Sequence, residues 1–140
     1  MYVIHSTGIE GKEGRFGTLR DLFSQHRFTL GGNWDYHKGS FDSLLHREGE
    51  EDIYLRIPFA VTEGELEEEE ARIRFGSPYV LKHVVQTGTE PNTQLANAVV
   101  NQFQQPQDPD AELEPVWAER AAVVVKEIVA KVEELDRTSV

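Results

Sequence analysis

The chain has 140 residues, with 14 Lys plus Arg against 25 Asp plus Glu, a formal charge of −11 and no cysteine. That is the size of one domain with a real core, and the lack of cysteine excludes a disulfide scaffold, a thiolate nucleophile and any Cys-ligated metal site. The acidity argues against nucleic acid, whose phosphates need a basic footprint, and no apolar run approaches the ~20 residues of a membrane span.

Met1 to Gly14 lacks the basic start and apolar block of a signal peptide, so a cytosolic protein is expected. Met1 to Ser6 reads as a short strand. Gly8, Gly11, Gly14 and Gly17 follow at three-residue spacing, with Lys12 and Arg15 among them. The series ends at a helix start, where backbone N–H groups can cradle an anion. It matches neither the P-loop nor the dinucleotide fingerprint, so a plain loop is expected. Thr18 and Asp21 resemble a capping box, and Leu19, Leu22, Phe23 and His26 sit at helical spacing. Residues 18–27 are therefore predicted as a short amphipathic helix.

The middle of the chain reads as β. Phe28 to Tyr36 and Phe41 to His46 flank His37-Lys38-Gly39, which suits a hairpin connection. Ile53, Leu55, Ile57 and Phe59 alternate strictly with Tyr54, Arg56, Pro58 and Ala60, as in a half-buried strand. Pro58 cannot donate to a ladder, so the strand is expected to end, bulge or lie at an edge there. Ala71, Ile73 and Phe75 alternate with Arg72 and Arg74, Gly76-Ser77-Pro78 turns the chain, and Tyr79 to Gln86 makes another strand. Two acidic stretches, Glu48 to Asp52 and Glu63 to Glu70, read as solvated strand connections.

Leu95 to Phe103 fits helical and strand spacing alike, and 97–103 is read as a strand. Gln104 to Pro109 is an extended crossing. Asp108, Asp110, Glu112, Glu114 and Glu119 imitate a calcium loop, but Leu113 stands where that loop needs glycine. Trp117, Ala121, Val124, Ile128, Val132 and Leu135 then mark a long amphipathic helix over 114–135. The absence of a repeat or second hydrophobic centre predicts one domain, 1–140.

Three groups of residues carry candidate chemistry. Arg56, Arg72 and Arg74 project opposite the apolar face of neighbouring strands, with Tyr54 on the same side. They would form an anion-binding face, or be paired internally with some of the 25 acids. Asp35, His37, Asp42 and His46 offer two imidazoles and two carboxylates for a metal, without a recognised ligand spacing. His83 shares a face with Tyr79, Leu81 and Val85 and reads as a buried core histidine. No nucleophile elbow or convergent acid/base pair emerges, so no catalytic residue is assigned.

Gly31-Gly32-Asn33-Trp34-Asp35-Tyr36 followed by Phe41-Asp42 resembles the YugN-like family of small bacterial proteins. The likeness continues at Leu55-Arg56-Ile57-Pro58-Phe59, Gly64, Arg72, Gly76-Ser77-Pro78, Asn101-Gln102-Phe103-Gln104 and residues 106–111. The resemblance implies a cytosolic α+β domain and no particular activity. It directs attention to the Asn33 to Tyr36 strand, Asp42, Arg56, Arg72 and Asn101-Gln102-Phe103, with Trp34 and Tyr36 read as buried rings seeking polar partners.

The expected fold is α+β, an antiparallel sheet of about five strands covered on one face by the long C-terminal and short N-terminal helices. The expected function is a non-enzymatic binding or interaction domain forming homodimers. The alternative is a protein binding a small anion through Tyr54, Arg56, Arg72 and Arg74, or a metal. An enzyme is the least favoured reading, and no cofactor, nucleic acid or membrane is expected.

Overall fold

The strict alternation of Ile53, Leu55, Ile57 and Phe59 becomes the centre of a seven-stranded sheet. The computed structural model describes residues 2–4, 7–32, 35–66, 68–84 and 114–138. In chain order the elements are β1 (Tyr2–Val3), β2 (Glu13–Arg15), α1 (Phe16–Gln25), β3 (Thr29–Leu30), β4 (Lys38–Glu48), β5 (Glu51–Glu63), β6 (Arg72–Phe75), β7 (Tyr79–Val84) and α2 (Pro115–Thr138). Every strand pair is antiparallel. The main order is β1-β7-β5-β4-β3, with β6 also on β5 and β2 on β6. The fold is thus α+β, with more strands than the alternation predicts. β1, β2 and β3 are two or three residues long. Periodicity cannot mark so short a run, and only ladder pairing defines it.

The long hairpin is β4–β5, and it turns at Gly49, whose φ is +61°. The expected turn at 37–39 is displaced. Gly39 lies inside β4 opposite Phe59, where a Cβ would stand 2.9 Å from the Phe59 ring. The chain instead reverses one step earlier. Asp35 bridges to Lys38, and its carboxylate accepts the backbone N–H groups of His37 and Lys38 at 2.8 and 3.0 Å.

β4 runs along one edge of β5 for nearly its full length. The other edge is shared, β7 taking Glu51 to Arg56 and β6 taking Phe59 to Glu63. Pro58 falls between them. Its carbonyl accepts the Gly76 N–H at 2.9 Å. In a strand one residue's N and O point to the same side. The missing N–H therefore faces the β6–β7 junction, where no ladder donor is needed. β5 continues through proline to Glu63 rather than ending there.

Both described helices cover the same face. Phe16, Leu19 and Phe23 of α1 join Phe28, Phe41, Phe59 and Phe75 in one buried cluster. The Phe23 and Phe41 rings stack at 4.6 Å, and Phe41 meets Phe59 at 5.0 Å. Such pairs add about 0.5–1.5 kcal/mol beyond area burial. α2 contributes Ala121, Val125, Ile128, Val129 and Val132. Its buried stripe leans toward Val125 and Val129 more than the predicted spacing implies, and Val124 is only half-buried.

α1 starts at Phe16, two residues before the predicted cap. The N–H groups of Phe16 and Gly17 donate to the carbonyls of Ala71 and Glu69, so backbone from the β5–β6 connection replaces a Thr18 cap. The helix ends with Arg27 at φ 67°. Phe28 N–H returns to Phe23 O at 2.9 Å and Arg27 N–H to Ser24 O at 3.3 Å. This is a Schellman closure with arginine in the usual glycine position.

The strand expected over 97–103, the crossing at 104–109 and the helix start at 110–113 lie outside the described residues. Among the described residues, no buried side-chain polar atom lacks a partner, and no helix is long and apolar enough to cross a membrane.

Candidate functional site

The helices leave the other face of the sheet without a covering element among the described residues. Ladder register sets its residues in rows, because paired residues share a face. One row is Thr29–Asp42–Arg56–Tyr79 across β3, β4, β5 and β7. The next along β5 on one side is Leu44–Tyr54–Leu81. On the other side Ser40 stands opposite Pro58, and beyond it comes Lys38–Ala60–Arg74. Arg56, Arg72, Arg74 and Tyr54 thus share this face, but they do not form one basic stripe.

Arg56 is held internally. Its Nε and a terminal nitrogen donate to the two Asp42 oxygens at 2.9 and 3.0 Å. Asp42 also accepts from Ser40 Oγ at 3.0 Å. The Arg56 guanidinium lies 6.0 Å from the centre of the Tyr79 ring. The Asp42 carboxylate, with help from the Tyr79 hydroxyl, keeps Arg56 even more firmly protonated than usual. The charge is neutralised within the sheet, so Arg56 is a positioning group for Tyr79 and Asp42.

Arg74 and Lys38 are different. Both are exposed, and among the described residues no carboxylate forms an ion pair with either, although the Lys38 charge reaches the Asp35 carboxylate in the preceding turn. They flank Ala60 in the ladder, so only a methyl stands between their backbones, with the Arg74 guanidinium leaning toward Gly11 on the β2 side. Glu13 is paired with Arg74 on its far side, away from Ala60. Lys38, Ala60, Arg74, Pro58, Arg56 and Tyr79 line an open groove of about 510 Å³ at the β6–β7 junction. Small-ligand sites fall at about 300–1,000 Å³ and combine an apolar floor with a few polar groups. Arg72 lies on the same face, two residues farther along β6 and opposite Glu63, outside the groove.

Other expected residues go elsewhere. Tyr54 is half-buried, with its hydroxyl donating to Asp52 at 3.3 Å. Tyr36 is 49% exposed in the turn before β4, not a buried ring. Asn33 and Trp34 lie outside the described residues. The proposed metal ligands are not gathered. Asp35 is committed to turn N–H groups and Asp42 to Arg56. His46 lies eight residues beyond Lys38 along β4, roughly 25 Å at ~3.3 Å per residue. Its ring stacks on Trp117 of α2 at 4.6 Å. Among the described residues, no group of His, Asp and Glu has metal-site geometry.

His83 is exposed, not a core residue. Its parity with Tyr79 and Leu81 is as expected, but that face is the outer one. The acidic connection at 48–52 also departs from a purely solvated loop. Asp52 is 3% exposed and accepts from Arg47 at 2.8 Å. That hydrogen bond, aided by Tyr54 and His83, holds its carboxyl below the ordinary aspartate value. The glycine-rich loop offers no anion cradle, because the Phe16 and Gly17 N–H groups at the helix start go to the Ala71 and Glu69 carbonyls and Glu10 fills the beginning of the loop. The Glu10 carboxylate accepts from the N–H groups of Thr7 and Gly8 and from Thr7 Oγ.

Sequence reasoning missed Lys38 and Ser40. The signal was their parity with Asp42, hidden by treating Gly39 as a turn.

The sequence profile of the YugN-like family matches residues 4–132. The chain is 30% identical over 125 residues to the uncharacterized protein YugN of Bacillus subtilis (strain 168), covering 87% of this chain and 92% of that one. It is 31% identical over 91 residues to the uncharacterized protein YlbA of the same strain, covering 64% and 74% of the two chains. The crystal structure of the uncharacterized conserved protein YugN from Geobacillus kaustophilus HTA426 superposes with a TM-score of 0.75. That match covers 98% of this chain and 99% of the other at 18% identity, a likeness of fold.

Proposed function

Because this chain belongs to the YugN-like family, whose relatives named above carry no described activity, we propose its function from its own geometry: it is a non-enzymatic binding domain that receives its ligand on the face of the sheet opposite the two described helices. The observation that carries this reading is the groove where β6 and β7 part, with Lys38 and Arg74 standing unpaired by described carboxylates over an apolar floor. Among the described residues lining it, the Ser40 hydroxyl donates to Asp42, itself already paired with Arg56, an arrangement that favours recognition over turnover.

Native mass spectrometry of the purified protein, paired with a denatured spectrum, tests this reading. A retained non-covalent mass is expected, and its release should perturb amide resonances of β4, β5 and β7. A bound molecule mapped to the helix side, or chemically converted by the protein, overturns the reading.

A second reading is the pairing of two copies through the same face. It is favoured by the Leu44–Tyr54–Leu81 row, in which Leu44 is 44% exposed. A doubled native mass that Leu44→Lys returns to a single chain supports it. A doubled mass unchanged by that variant places the interface elsewhere.

A further inference from the structure

Resting on the sheet-face reading, we infer that the groove binds a small organic anion, its carboxylate or phosphate head bridging Lys38 and Arg74 over Ala60 and its flat apolar body lying on Pro58 and Tyr79. Lys38, Ala60 and Arg74 are consecutive partners across β4, β5 and β6. Two strand spacings separate the outer pair, roughly 9.5 Å between backbones at ~4.8 Å each. Both side chains are long and flexible, and alanine between them leaves a gap that one anionic head can fill. Arg74 offers a planar fork and Lys38 a point charge, a combination that suits either a carboxylate or a phosphate.

The body of the ligand follows from the rest of the groove. Pro58 presents a ring without a donor, and Tyr79 is held against Arg56. Arg56 is already satisfied by Asp42, so it does not compete for the head. Ala60, Pro58 and the Tyr79 ring together form an apolar strip running from the two cations toward β7. An anion without an apolar body leaves this strip wet. An apolar molecule without charge leaves Lys38 and Arg74 unanswered.

Amide-detected NMR titration of the full chain tests the inference with benzoate and phenyl phosphate, against acetate and inorganic phosphate. The ring-bearing anions are expected to shift resonances of residues 38–40, 58–60 and 74–79 and to bind at least ten-fold tighter than their ringless counterparts. Comparing benzoate with phenyl phosphate shows which head the site prefers. Lys38→Gln with Arg74→Gln should weaken binding ten-fold or more, while Arg72→Gln leaves it unchanged. Ala60→Glu sets an internal carboxylate between the cations and should abolish binding with the fold retained in the amide spectrum. Equal affinity for acetate and benzoate overturns the inference, as does equal loss in Arg72→Gln. Shifts centred on Leu44, Tyr54 and Leu81 overturn the groove assignment but leave the sheet-face reading standing. No shift anywhere overturns the anion and leaves the face to its mass-spectrometric test.

Discussion

Asp42 on β4 and Arg56 on β5 stand directly opposite in the ladder and join through two hydrogen bonds of 2.9 and 3.0 Å. The geometry is the bidentate one that makes arginine–carboxylate pairs strong. Both side chains are mostly buried, at 27% and 13% exposed. Removing one partner therefore strands the other in a partly desolvated place. Asp42→Ala should destabilise the protein by about 2 kcal/mol, and Arg56→Met alone by a similar amount. The double variant should cost less than the sum, with a coupling of at least about 1 kcal/mol in urea unfolding. Additive losses would mean the pair contributes nothing as a pair.

Asp52 makes stability depend on acid. Its carboxyl is held down chiefly by the Arg47 hydrogen bond, so its folded value lies below its unfolded one. A depressed carboxylate stabilises the fold above its unfolded value, about 3.9. That contribution is lost as pH falls through the lower folded value. Wild type should thus exceed Asp52→Asn in unfolding free energy at pH 7, with the gap closing below about pH 4. Urea melts from pH 7 to pH 3 check this. A gap that stays constant across that range assigns Asp52 a purely packing role.

Arg27 closes α1 in a left-handed conformation that side chains resist. The penalty for a non-glycine residue there is about 1–2 kcal/mol. Glycine removes it but enlarges the freedom of the unfolded chain. Arg27→Gly should accordingly stabilise the protein by about 0.5–1 kcal/mol, and Arg27→Val should destabilise it. Thermal unfolding of the two variants should move in opposite directions.

Gly17 inverts the usual helix rule. Alanine is favoured over glycine in a helix by about 1 kcal/mol. At Gly17, however, an added Cβ would stand 2.9 Å from Glu69 Cβ and 3.1 Å from its backbone oxygen. That carbonyl receives the Gly17 N–H at 3.0 Å, so the backbone has no room to retreat. Crowding of this kind costs about 1–3 kcal/mol and should win. Gly17→Ala is therefore expected to lower the unfolding midpoint in urea, whereas a rise would show that the connection yields freely.

How far the sequence could be read depends on the range of the interaction. Alternation in β5 places Ile53, Leu55, Ile57 and Phe59 inward and Arg56 outward, because the pleat alone dictates it. The α2 stripe is legible for the same reason at helical period. Register is not local. An extra residue at Leu45 shifts the pairing between Leu44 and His46 and turns His46 toward Trp117. A histidine that looks like a ligand on paper thereby becomes part of a helix contact.

Glycine shows the same limit. Gly39 and Gly49 look alike as turn signals, yet Gly39 lies inside β4 against Phe59, and Gly49 makes the turn. His83 and Asp52 are ladder partners on the outer face, yet Asp52 is buried, bonded to Arg47 and Tyr54, while His83 is exposed, because parity tells which residues share a face and not which of them its neighbours close over.

By itself, the sequence determined an acidic, cysteine-free α+β domain, its main strands and long helix, and the family it resembles. Those properties follow from composition and from periods of two and 3.6 residues, which short segments already express. Tertiary structure decided which arginine is neutralised and which cations are left over. Asp42 and Arg56 are 14 residues apart, and Lys38 and Arg74 meet only through β5. Their relation depends on ladder register, and register is set by bulges, turns and helix packing across the whole sheet.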